Sequence, residues 1–184
     1  MNFTRTITVA LSASLLAMSC FAQPYPSKPI RLLVPFGPGG VGDITSRAVM
    51  QKMSEAIGQQ IIIDNRPSAG GIVATETVAK SDPDGYTLYL MNNTNAVSAA
   101  MFKKLPYDTV KDFAMVSTIG GFSIVVPTLH ESGLAGYEVN SWNGIAVAAK
   151  TPKAIVERLN KEIHAAVNSP LITQRFQELG VSQN

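Results

Sequence analysis

Few residues of this chain are of a type that does chemistry on a substrate. Its 184 residues hold two histidines, His130 and His164, and one cysteine, Cys20. His130 stands beside Glu131, but no second histidine or cysteine lies near enough to complete a metal set. His164 falls in a helical stretch four residues after Asn160 and far in sequence from the glycine clusters, which suits a packed or solvated histidine better than a base. Ser132 lacks the G-x-S-x-G elbow of a hydrolase nucleophile. Asp43 could act as a buried acid, yet its position reads equally well as a helix N-cap. What remains is backbone chemistry. Gly37, Gly39, Gly40 and Gly42 form one glycine cluster and Gly70 and Gly71 another. Free N–H groups in such loops, at the head of helices, are suited to an anion.

Gly37, Gly39 and Gly42 also spell the G-x-G-x-x-G of a dinucleotide site, with Asp64 where a ribose-binding acid would stand. Pro38 and Gly40 make this loop stiffer and richer in glycine than that motif requires. The second cluster, Gly70-Gly71, repeats a chemistry that a dinucleotide site does not need. A Walker A reading fails, because no Gly-Lys-Ser/Thr follows the loop.

The elements that must position these loops alternate. Ile30, Leu32, Leu33, Val34 and Phe36 form a short apolar run after Pro29, the pattern of a strand buried on both faces. Gly42-Asp43-Ile44-Thr45 reads as a helix entrance with Asp43 as N-cap. Val49, Met50, Met53, Ala56 and Ile57 mark its buried face, and Gly58 its C-cap. Ile61-Ile62-Ile63 is a second buried strand. Ile72–Lys80 is a second helix, Ser81–Gly85 a turn, and Tyr86–Met91 a third strand. Asn92 to Asn95 is a polar stretch at that strand's exit, and Ala99–Phe102 a short helix. Phe113 to Val126 holds strand material in two pieces, and Pro127–Tyr137 a loop with a helical turn. Trp142–Ala148 is a strand. A final pair of helices starts at Thr151, as N-cap with Pro152 at the first helical position, and at Pro170. The alternation predicts an α/β fold, a parallel-rich sheet with helices on both faces, whose post-strand loops gather on one edge.

Composition fits a globular domain. Hydrophobic residues make up 46% and charged residues 15%, and the net charge of +2 is too small to point to nucleic acid or an anionic membrane. Residues 1–22 stand apart. Arg5 gives a basic start, and Ile7–Met18 is apolar but short of the roughly twenty residues of a membrane span. Ser19 to Ala22 supplies small residues before Gln23-Pro24. This is the pattern of a signal peptide cleaved after Ala22, leaving a mature chain without cysteine. Ala17-Met18-Ser19 before Cys20 fits a lipobox poorly. A cysteine-free exported chain agrees with a periplasmic location.

Several stretches together carry a resemblance. YPSKPIRLLVPFGPGGVGDITSRAV, NRPSAGG, SDPDGYTLYL with KKLPYD and KDF, and the later PTLHESGLAGYEVNSWNGIAVAAKTPKAIVERLNKEI are similar to the Bug family. These are periplasmic solute-binding proteins related to the receptor of tripartite tricarboxylate transporters. The resemblance covers nearly all of the chain after residue 22. It implies one lobe of a periplasmic binding protein of type II, not an enzyme and with no cofactor or metal. The ligand implied is a small carboxylate, an organic acid or acidic amino acid. It would lie between the loop of Phe36, Gly39, Gly40, Val41 and Asp43 and the loop of Ala69, Gly70 and Gly71, with Asn93 and Thr94 beside them. The partners implied are the membrane subunits of the transporter.

One departure is expected to matter. In the family, a long second lobe follows the strand that matches Ser123–Val126, whereas here Val126 runs straight into Pro127. The expected organisation is a signal peptide (1–22) and a single lobe (23–184), made of an N-terminal part to residue 126 and a returning part from 127. The second lobe is largely absent, so weak or absent binding is expected, with self-association through the uncovered cleft as a physical alternative. A dinucleotide enzyme and a lone lobe acting as an interaction protein are the other readings that the sequence leaves open.

Overall fold

The computed structural model describes residues 24–125, 132–133 and 138–183. The expected signal peptide, Cys20, His130 with Glu131, the Val126–Pro127 junction and most of the Pro127–Tyr137 loop lie outside these residues.

Strand β1 (Ile30–Val34) lies inside the sheet. It is paired in parallel with β2 (Ile61–Asn65) on one side and β3 (Thr87–Asn92) on the other. Ile30, Leu32, Leu33 and Val34 are fully buried, as the uninterrupted apolar run requires. The sheet is completed by β5 (Glu138–Ala148) and β4 (Phe113–Val125), in the order β2-β1-β3-β5-β4. Strand β5 is antiparallel to both its neighbours.

Helix α1 (Val41–Ile57) connects β1 to β2, and α2 (Ile72–Ala79) connects β2 to β3. They cover opposite faces. Val49, Met50 and Met53 of α1 pack with Ile30, Leu32, Val34, Leu88 and Leu90. Ala74 and Val78 of α2 pack with Leu33, Tyr89, Phe113 and Ala146 on the other side. Helices α4 (Lys153–Val167) and α5 (Pro170–Glu178) join the α1 face through Leu159, Ile163, Ile172 and Phe176. Helix α3 (Asn93–Met101) lies at the exit of β3. The expected α/β lobe with helices on both faces is therefore what forms.

Several local expectations are corrected. Ile62 is 46% exposed, because β2 is an edge strand and its outer face is not covered. Asn92 to Asn95 is not a loop: Asn92 caps α3, which begins at Asn93 rather than Ala99. The two pieces of strand after Phe113 are one strand, continued through irregularities at Met115/Ser117 and Thr118/Gly120. Asp43 is not the N-cap of α1, which is Gly40. Thr151 is not an N-cap either. Pro152 holds that position, and the Thr151 hydroxyl donates to the Ala148 carbonyl oxygen at 2.7 Å.

The β4–β5 pair is longer than the rest of the sheet. It runs from Phe113 opposite Ala148 to Val125 opposite Glu138, whereas β3 ends at Asn92 opposite Asn143. Residues beyond that level form a two-stranded ribbon that rises past the carboxyl edge of β3. Its outer strand is held by the C-terminal segment. Gly121 and Ser182 exchange backbone hydrogen bonds of 2.9 and 2.7 Å, and the Ser182 hydroxyl donates to Gly121 O at 3.0 Å.

The latch needs a glycine next to it. A Cβ on Gly120 would stand 2.8 Å from Ser182 O and 2.8 Å from Val181 Cγ1. Gly120→Val is expected to displace this segment and cost about 1–3 kcal/mol, as overpacking does. Urea denaturation checks this, and an unchanged midpoint would contradict it.

Candidate functional site

The chain leaves β1 toward β2 and returns to β3 on the other side of β1. That is a topological switch point, where open α/β sheets carry ligands outside the carboxyl ends of their strands. The loops after β1 and β3 border it, and α1 and α2 begin there on opposite faces. Two glycines set how closely these helices approach. A Cβ on Gly42 would meet the Phe36 ring at 3.3 Å and Leu90 Cδ2 at 3.4 Å. A Cβ on Gly71 would meet Pro35 Cβ at 3.0 Å, and Gly71 also has a positive φ of +69°. Gly70, at φ +64°, is packed under Ser98 of α3, whose hydroxyl donates to Gly70 O at 2.9 Å. The second loop is thereby fastened to α3, and its helix to the end of β1.

The three helix starts differ in what they leave free. Asn92 accepts from the Thr94 N–H at 2.9 Å, and the Asn95 side chain accepts in turn from the Asn92 N–H at 3.1 Å. Helix α3 is thus capped from within. At α2, the cap Gly71 offers no side chain, and Ser68 Oγ accepts from the Val73 N–H at 3.1 Å. At α1, Gly40 offers no side chain, and the first intrahelical bond is Ile44 N–H to Gly40 O at 2.9 Å. The N–H groups of Val41, Gly42 and Asp43 precede it and lack an intrahelical acceptor. Gly39, Gly40 and Val41 are exposed to solvent at this edge.

Asp43 lies at the third position of α1, only 2% exposed. Its carboxylate turns back to the loop and accepts from the Gly39 N–H at 2.9 Å, from Arg47 Nε at 2.9 and 3.0 Å and from Asn65 Nδ2 at 2.9 Å. Asn65 also donates to Phe36 O at 3.0 Å and accepts from Arg47 Nη2 at 2.7 Å. Burial alone would raise the Asp43 pKa. The hydrogen bonds from Arg47, Gly39 and Asn65 outweigh it and hold the carboxyl below its usual range.

The candidate residues therefore divide. Phe36, Gly39, Gly40, Val41, Ala69, Gly70 and Gly71 are brought to one edge of the sheet by the two loops. Asn93 and Thr94 reach the same edge, but the Thr94 N–H is spent on the cap, and Asn93 Oδ1 accepts from Ser141 Oγ at 2.9 Å. Asp43 turns its carboxylate to protein donors and supports the loop. Sequence reasoning missed Asn65 and Arg47, although the Asn65–Gly71 stretch and the i,i+4 spacing of Asp43 and Arg47 were there to be read. It also missed Ser141 and Asn143, buried polar residues of β5 beside the exit of β3. The ribbon carries an open depression of about 400 Å³ lined by Ser123, Asn140, Ser141, Trp142 and Ser182 among others.

Asp64 is not free to hold a ribose. Its carboxylate is paired with Arg31 and, at 2.9 Å, with Arg66. Among the described residues no group of three or more His, Cys, Asp or Glu side chains is placed to hold a metal ion, and no helix is long and apolar enough to cross a membrane.

A single mixed sheet with helices on both faces and two helix starts at its switch point is the fold that solved periplasmic binding proteins show. Residues 45–126 match the model of the Tripartite tricarboxylate transporter family receptor. A UPF0065 protein of Bordetella pertussis is 48% identical over 117 residues, which is 62% of this chain and 36% of that relative. The protein BugT of the same organism is 35% identical over 133 residues, 70% of this chain and 41% of its own. The fold is that of the periplasmic binding protein BugD, with a TM-score of 0.78 at 19% identity, covering 86% of this chain and 89% of that one. MatC from Rhodopseudomonas palustris with bound malate gives 0.77 at 20% identity, covering 86% and 90%. A second R. palustris protein, with adipate, gives 0.71 at 19%, covering 86% and 89%. Over residues 45–126 this chain is therefore similar to the tripartite tricarboxylate transporter family receptor, and its fold is the one that BugD shows.

The matched part spans only about two-fifths or less of these two Bordetella relatives. A UPF0065 protein of Pseudomonas sp., encoded between tcbD and tcbE, aligns at 24% identity over 288 positions, covering 96% of this chain and 86% of its own. Since this chain has 184 residues, at least 104 of those 288 positions face none of its residues.

The lowered Asp43 pKa sets an acid limb. With the folded value below the unfolded one, its stabilisation is complete above the unfolded pKa and is lost as pH falls through the folded one. Asp43→Asn is expected to be less stable than the parent at pH 6, and the difference should shrink as the pH drops below the ordinary aspartate range. Urea denaturation of both proteins from pH 6 to pH 2 measures it. A gap that stays constant across this range would contradict the assignment.

Proposed function

We propose that this chain is the anion-gripping first lobe of a periplasmic receptor for a tripartite tricarboxylate-type uptake system, and that it takes a small carboxylate. The observation that carries this is the α1 start. It lacks a side-chain cap, and Gly39, Gly40 and the first-turn residue Val41 are exposed at the switch point, on the edge that also carries the second glycine loop. Helix N-termini favour an anion through both their donors and the dipole. Two proteins of the same fold were solved with malate and adipate, each a small dicarboxylic acid. Export by residues 1–22 and delivery to membrane subunits follow from the same reading. Neutral backbone donors suit a carrier that must also release its cargo, and no catalytic step is assigned to them.

The second lobe is proposed to be absent between β4 and β5. The family match stops at residue 126, inside that connection, and Val125 pairs with Glu138, so the two strands end side by side. The 104 or more unmatched positions of the Pseudomonas relative would be accommodated there. A single lobe covers one side of a ligand, short of the roughly 70–90% burial of a good small-molecule site.

Calorimetry with malate, adipate, citrate and glutamate tests the reading. Weak saturable binding of at least one is expected. Gly39 has a φ of +90°, so Gly39→Val is expected to strain the loop and abolish it. Absence of heat with all four acids would sink the proposal.

A further inference from the structure

Asp43 poses a problem for the site just proposed. It is a buried carboxylate at the start of α1, in direct contact with the loop that would receive an anion. A second negative charge arriving there is repelled, and the repulsion is strong where water is excluded. Neither glycine loop contains an arginine. The fold brings one in from the next turn of the helix.

We infer that Arg47 is a tuning residue for carboxylate binding, which neutralises Asp43 so that the α1 start presents itself to an anion as net positive. Three features support this. The Arg47 Nε lies 2.9 and 3.0 Å from the two Asp43 oxygens, so the pair is close on both sides of the carboxylate. The Arg47 Nη2 is fixed by Asn65 Oδ1 at 2.7 Å, and Asn65 itself donates to Asp43 and to Phe36 O. The guanidinium therefore has its place set by the end of β2 as well as by its own helix. An acceptor oxygen at position 43 cannot be dispensed with, because it organises the loop by accepting the Gly39 N–H, a bond that an amide oxygen can also accept. Asp43 shapes the loop at an electrostatic cost, and Arg47 offsets that cost without entering the loop.

This rests on the carboxylate-binding reading and adds a role to it. The test is a double-mutant cycle on the full chain, with malate and adipate as probes in calorimetry at low and high salt. Arg47→Gln is expected to weaken binding about tenfold or more at low salt, with a smaller loss at high salt, where exposed charges are screened. Asp43→Asn in the Arg47→Gln background is expected to recover most of that loss, because the uncompensated charge is gone. Arg47→Lys is expected to lie near the parent. A purely structural role for Arg47 would make the double variant no better than Arg47→Gln, and so would direct capture of the ligand by Arg47. Either result overturns the inference while leaving the function in place. Equal affinity of Arg47→Gln and the parent also overturns it. Failure of the parent to bind either acid removes the function and this inference together.

Discussion

The constraint on which this lobe depends is that β1 is bonded in parallel to a strand on each side. A parallel neighbour can be reached only by a crossover, and crossovers in such sheets are right-handed. Going from β1 to β2 and then back past β1 to β3 therefore puts α1 on one face and α2 on the other. It also puts both helix starts at the carboxyl edge. The burial of Ile30, Leu32, Leu33 and Val34 on both faces holds this strand inside the sheet. From that one arrangement follow the switch point, the meeting of the glycine loops and the close approach at Gly42 and Gly71.

The loops are then held by polar contacts that a sequence does not display. Thr75, Tyr89 and Asn95 come from α2, β3 and α3. The Thr75 hydroxyl bonds to the Tyr89 oxygen at 2.7 Å, and Asn95 Nδ2 donates to that oxygen at 2.8 Å and to Thr75 at 3.1 Å. Buried networks of this kind are costly when incomplete and rigid when complete. With Asn65 on the other side of the site, they fix the loops from below and leave the exposed edge of glycine backbone above. The candidate site is in this sense a surface built of main chain on a base of side-chain amides and hydroxyls.

How much was legible depended on whether the signal was local. The apolar run of β1, the glycine clusters and the C-cap at Gly58 are written in consecutive residues, and each was read. The polar run at the exit of β3 has the composition of a loop, whereas Asn92 is a cap whose partner Asn95 is three residues on. Ile62 is exposed although its run of three isoleucines reads as buried, because such a run carries no mark of which face is left bare at a sheet edge. Thr151 and Asp43 both read as caps on residue type, while the backbone sets the helix start one residue later in one case and three residues earlier in the other. The contacts of Asn65 and Ser141 carry no local mark, since their partners are 18 to 48 residues away.

The ribbon of β4 and β5 has a meaning beyond its place beside the site. Its strands stay paired to Val125 and Glu138, well past the last contact with β3. Whatever joins them therefore starts and finishes at two adjacent points on a stalk, outside the core. Such a junction requires only that the ends of the joined segment be close together, and makes no demand on its size. The lobe below can thus fold to the same sheet whether the stalk carries a short turn or a whole second domain.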